Sequence, residues 1–61
     1  MYEKFAELLV KFNKSAYQVS KDTGISQSGL SDWKRGVSTP KADKLKILAD
    51  YFGVSIEYFL E

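Results

Sequence analysis

Apolar residues along this chain recur at helical spacing and nowhere alternate convincingly. Phe5, Leu8, Leu9 and Phe12 fall at i, i+3, i+4 and i+7, which puts four apolar side chains on one helix face. Leu45, Leu48, Ala49 and Phe52 repeat that spacing, flanked by Ile47 and Tyr51. Between these two segments lie two shorter ones, the first carrying Ala16, Val19 and Ser20 inward and the second Leu30 and Trp33. A last short segment presents Ile56, Phe59 and Leu60. No stretch shows the period of two that a half-buried strand requires. The pattern predicts an all-α chain of five helices.

Polar residues punctuate the same segments. Asn13 tolerates the left-handed conformation and is expected to stop the first helix. Ser15-Ala16-Tyr17-Gln18 has the form of a capping box, with the Ser15 hydroxyl accepting from the Gln18 amide and the Gln18 side chain reaching back. Gly24 ends the second helix, Ser26 caps a third that runs from Gln27 to Arg35, and Gly36 closes it at the C′ position. Pro40 is expected near the first turn of the fourth helix, where its missing N–H costs little. Gly53 followed by Val54 predicts a Schellman ending, and Ser55 is the candidate cap of the fifth helix.

Composition narrows the chemistry. Sixty-one residues make one small domain, 1–61, which must use its 44% of hydrophobic residues economically. The chain has no Cys and no His, so disulfides, thiolate metal sites and the commonest general base are all missing. With no phosphate loop and no convergent carboxylate pair either, catalysis, a cofactor and a metal are not expected. No apolar stretch approaches a membrane span, and no signal peptide opens the chain, so the expected location is the cytoplasm.

The formal net charge of +1 hides an uneven distribution. Residues 1–32 balance Lys4, Lys11, Lys14 and Lys21 against Glu3, Glu7, Asp22 and Asp32. Residues 33–46 carry Lys34, Arg35, Lys41, Lys44 and Lys46 against Asp43 alone, a local +4. Residues 47–61 carry only Asp50, Glu57 and Glu61, a local −3. Such blocks are either solvated helix faces or a basic patch and an acidic pole with separate tasks.

The second and third helices are short and are joined by Thr23-Gly24-Ile25, a tight turn with Gly in its middle. That is the pattern of a helix-turn-helix over about residues 15–36. Val19, Ile25, Leu30 and Trp33 would form the small core holding the pair, with Ser20 small where the helices approach closest. Trp33, at a core position, is expected to pack and not to stack on a base.

These segments resemble a known family. SAYQVSKDTGISQSGLSDWKRG followed by STPKADKLKILADYFGVSIEYFL is similar to the lambda-repressor-like, Cro-type (XRE) helix-turn-helix family, and most similar to phage and prophage repressors of low-GC Gram-positive bacteria. The resemblance covers roughly Phe5 to Leu60. It implies a five-helix domain that docks its second and third helices on double-stranded DNA, commonly as a repressor that binds an operator as a homodimer. Ending directly after the family's final helix fits a DNA-binding domain of a longer repressor as well as a small Cro-like protein.

At about 100° per residue, burial of Leu30 and Trp33 leaves Ser28, Ser31, Asp32 and Arg35 on the opposite face of the third helix, with Gln27 on the flank. A recognition helix presents its N-terminal residues to base edges, and a carboxamide bonds bidentately to adenine, so Gln27 is the leading reader. Ser28 and Ser31 can donate to bases or phosphates. Gly29 either permits close approach or is a tolerated weak position. Asp32 can accept from cytosine N4, repel phosphate, or pair with Arg35 or Lys14; the last, an orienting role, is the expectation. Lys34, Arg35, Lys41 and Lys44 form the expected phosphate clamp, blind to base sequence. The opening of the second helix, Ser15, Ala16, Tyr17 and Gln18, forms the other. Many relatives have Gln at the position of Ala16, so a contact there falls to the Tyr17 hydroxyl, unless Tyr17 packs beside the first helix. Tyr58 and Leu60 are the candidate dimer contacts. The competing reading is a protein-interaction module of the same fold, as in antitoxins and restriction-modification controllers.

Overall fold

The computed structural model describes residues 1–60, and among them it contains five helices and no strand. They are α1 (Tyr2–Lys11), α2 (Ala16–Thr23), α3 (Gln27–Lys34), α4 (Ala42–Phe52) and α5 (Glu57–Leu60). Asn13 takes a left-handed φ of 54°, its N–H donating to the Val10 carbonyl at 3.1 Å while Lys14 N–H reaches Leu9 at 2.9 Å. That pair of bonds is a Schellman motif closed by Asn. The same motif ends α3, where Gly36 N–H meets the Trp33 carbonyl at 3.1 Å and Val37 N–H meets Asp32 at 2.9 Å. Gly53 and Val54 end α4 in the same way, on Asp50 and Ala49.

The starts of the helices follow the expected caps with three exceptions. The Ser15 hydroxyl accepts from Gln18 N–H at 3.1 Å, and the Ser26 hydroxyl accepts from Gly29 N–H at 2.9 Å. The Gln18 side chain does not reach back as a capping box would; it donates instead to Asp22 at 2.8 Å, one turn on. The fourth helix begins at Ala42 after Lys41, so Pro40 precedes the helix and does not sit in its first turn. In α5, Tyr58 N–H bonds the Ser55 carbonyl at 3.0 Å, not its hydroxyl.

All five helices contribute to one core. Phe5, Leu8, Val19, Leu30, Leu48, Ala49 and Phe59 are almost wholly excluded from water, joined by Ile25, Trp33, Leu45 and Phe52. Trp33 is a central element: its ring lies 5.3 Å from Phe5, 5.5 Å from Tyr2 and 6.1 Å from Phe59, in tilted and edge-on geometries. One side chain thereby ties α3 to both α1 and α5. Three residues expected inside or flanking the core lie at its margin. Phe12 is 41% exposed and meets Phe52 only edge-on, Ile47 is 39% exposed, and Leu60 is 59% exposed. Phe12 and Leu60 stand at helix ends, where apolar spacing continues past the last neighbour able to cover it. No helix among the described residues is long and apolar enough to cross a membrane.

Candidate nucleic-acid interface

The α2–α3 unit is locked from within. Gly24 adopts φ 80°, and a Cβ there would meet nothing within 4 Å, so the positive dihedral and not crowding calls for glycine. Three polar bonds hold the turn. The Ser20 hydroxyl donates to the Ile25 carbonyl at 2.5 Å, and the Thr23 hydroxyl donates to the Val19 carbonyl at 2.7 Å while accepting from Ile25 N–H at 3.3 Å. Ser20 is therefore more than a small residue at a close approach: it ties α2 to the start of the next helix. A hydroxyl one turn before a helix-ending Gly is the signal that points to such bonds. Beneath them, Val19, Ile25, Leu30 and Trp33 are buried, as the spacing predicts.

With Leu30 and Trp33 inward, the rest of α3 divides into two stripes. Gln27, Ser31 and Lys34 line a groove of about 310 Å³ shared with Tyr2 and Leu9 of α1 and Ala16 of α2. Ser28, Asp32 and Arg35 form the other stripe. Ser31, exposed like Ser28, thus also borders the groove on the α1 side of the helix. Among α3 side chains only Asp32 and Arg35 are hydrogen-bonded to other described residues; Gln27, Ser28 and Ser31 are exposed and unbonded. At the start of α2, Asn13, Lys14, Ser15 and Gln18 surround an open concavity of about 620 Å³. Tyr17 is 58% exposed, so most of its side chain is open to solvent.

The basic stretch is less free than its composition suggests. Arg35 pairs with Asp32, as the orienting role requires, and Lys46 pairs with Asp50 at 2.9 Å. Lys34, Lys41 and Lys44 are exposed and form no ion pair among the described residues. Lys14 lies 5.7 Å from the Tyr51 ring centroid, away from Asp32. The Tyr51 hydroxyl in turn donates to Asp22, fastening α2 to α4. That bond holds the Asp22 carboxyl below its ordinary range, aided by Gln18 and opposed by desolvation, and it pushes the Tyr51 phenol up. Gln18 and Asp22 are therefore committed to a clasp behind the open end of α2, which leaves the Ser15–Gln18 backbone as the outward feature.

In α5, Tyr58 is half-buried against Phe59 at 5.7 Å, with the Lys4 ammonium 5.3 Å from its ring. Leu60 projects outward. Glu61 lies outside the described residues, so its share of the acidic pole has no structural counterpart here.

No curated protein and no solved structure matches the chain significantly. A family model described as helix-turn-helix matches residues 5–59, which takes in every element from the body of α1 to α5. With its locked turn, its buried Trp33 and the exposed Gln27, Ser28 and Ser31 of α3, the chain belongs to the lambda-repressor-like, Cro-type (XRE) helix-turn-helix family of DNA-binding domains.

Proposed function

We propose that this protein is a sequence-specific transcriptional repressor that binds double-stranded operator DNA as a homodimer. The observation that carries this reading is the outward surface of α3, where Gln27, Ser28 and Ser31 are exposed and make no side-chain bond among the described residues. A polar side chain left unbonded on a helix whose other face is fixed by Trp33 is available to a partner.

In this reading α3 enters the major groove and Gln27 bonds adenine N6 and N7 through its carboxamide. Ser28 and Ser31 donate to bases or phosphates from either side, and Asp32 faces the bases while holding Arg35. Lys34, Lys41 and Lys44 supply the phosphate clamp together with Arg35. The N–H groups at Ala16 and Tyr17, next to the Ser15 hydroxyl that takes Gln18 N–H, receive a further phosphate, with the Tyr17 hydroxyl beside them. Leu60, with Tyr58, provides a self-complementary patch for a two-fold dimer on the outer side of α5. The local −3 of residues 47–61, set against the +4 of residues 33–46, turns the basic stretch toward DNA.

Selection of bound sequences from a random duplex pool tests this reading. The expected product is a palindromic motif with half-sites about 34 Å apart, one helical turn. A protein that enriches no sequence, yet co-purifies stoichiometrically with another chain, would be an interaction module of this fold instead.

A further inference from the structure

We infer that Asp32 is a selectivity residue that couples the identity of one base to the phosphate contact of Arg35. The inference rests on the DNA-binding reading above and adds a mechanism to the same surface. Of the bases between residues 33 and 46, Lys34, Lys41 and Lys44 have no acidic partner among the described residues, and Lys46 is paired along α4. Arg35 alone has its partner on the outward stripe of α3. The two side chains are 63% and 34% exposed, so each remains reachable while paired.

The backbone prevents the pair from separating by unwinding. The Asp32 carbonyl accepts from Val37 N–H at 2.9 Å and from Ser38 N–H at 3.4 Å, and those bonds close the end of α3. A phosphate that approaches Arg35 therefore also approaches the Asp32 carboxylate, and like charges repel unless the carboxylate acquires another donor. In the major groove that donor is an exocyclic amino group, N4 of cytosine or N6 of adenine. Where the base beneath Asp32 carries one, the carboxylate turns to the base and Arg35 is released to phosphate. Where the base presents guanine O6 or thymine O4, an acceptor meets the carboxylate, and the ion pair stays closed. An exposed pair exchanges partners readily, because its net stability in water is small. Arg35, expected from the sequence to grip any duplex, becomes a conditional contact. The unconditional clamp is left to the three lysines.

The salt dependence of binding separates this from a general field effect, because each phosphate neutralised steepens the slope of log K against log salt by about 0.9. Wild type is titrated between roughly 50 and 200 mM salt with a duplex selected from a random pool and with a random-sequence duplex of equal length. The slope is expected to be steeper by about one on the selected duplex, where Arg35 is engaged. Asp32→Asn should tighten the random duplex about fivefold near 50 mM salt and steepen its slope by about 0.9, so that the selectivity ratio falls. Arg35→Gln should weaken the selected duplex and leave the random one within about twofold, which keeps the inference testable should Asp32→Asn fold poorly. Asp43→Asn removes the same charge from α4 and should leave the ratio unchanged. Equal tightening of both duplexes by Asp32→Asn with unaltered slopes, or no tightening of the random duplex, overturns the inference alone. A wild-type protein that binds neither duplex overturns it together with the DNA-binding reading.

Discussion

Trp33→Ala is expected to abolish cooperative folding at 25 °C. The side chain is 4% exposed and lies against Tyr2, Phe5 and Phe59, so truncation opens a cavity where α1, α3 and α5 meet. Large aromatic-to-Ala changes in cores cost about 3–5 kcal/mol. A single core in a chain of this size rarely supplies more than about 3–5 kcal/mol in total, so the loss matches the whole stability. Far-UV circular dichroism during heating provides the check, since the variant lacks the only Trp. A sloping trace without a transition is the expected outcome. A cooperative melt within a few degrees of wild type would place Trp33 outside the structural centre and leave its indole free for another task.

The second large effect concerns binding. Lys34, Lys41 and Lys44 are exposed and without an acidic partner among the described residues, and they flank the end of α3 and the start of α4. Replacing all three by Ala should weaken every duplex by roughly a hundredfold near 50 mM salt and reduce the salt slope by about 2.7, three phosphates' worth. The fold should be unaffected, because none of the three side chains belongs to the core. Titrations at several salt concentrations report both quantities. Retention of wild-type affinity with an unchanged slope would mean that the basic stretch is only a solvated surface.

Most of the fold was legible because its determinants are local. A Ser placed three residues before an amide, and an Asn or Gly placed after the last apolar contact, act through bonds within one turn of the chain, as Ser26, Asn13 and Gly36 do here. The Asp32–Arg35 pair was legible for the same reason, being separated by a single turn. Gln18 escaped because two local partners competed for it. The winner, Asp22, is itself held by Tyr51, which is 29 residues away in the chain, and no periodicity reports that approach. Phe12 and Leu60 kept the apolar spacing of their helices yet lie at the surface, since spacing records which way a side chain faces and not whether a neighbour extends far enough to cover it. The groove that Ser31 also borders was not legible, because Leu30 and Trp33 define only the inward direction of α3. The third wall, built by Tyr2 and Leu9 of α1, comes from the tertiary fold.

That α3 reads bases through its N-terminal side chains is tested most directly by Gln27→Ala, titrated against a duplex selected by the wild-type protein and against random-sequence DNA. The Gln27 side chain is exposed and makes no bond among the described residues, so its removal leaves the fold alone. The expected result is a loss of about 1–3 kcal/mol on the selected duplex, with relaxed preference at one adenine and random-sequence binding unchanged. An equal loss on both duplexes, or none on either, would contradict base reading by this helix.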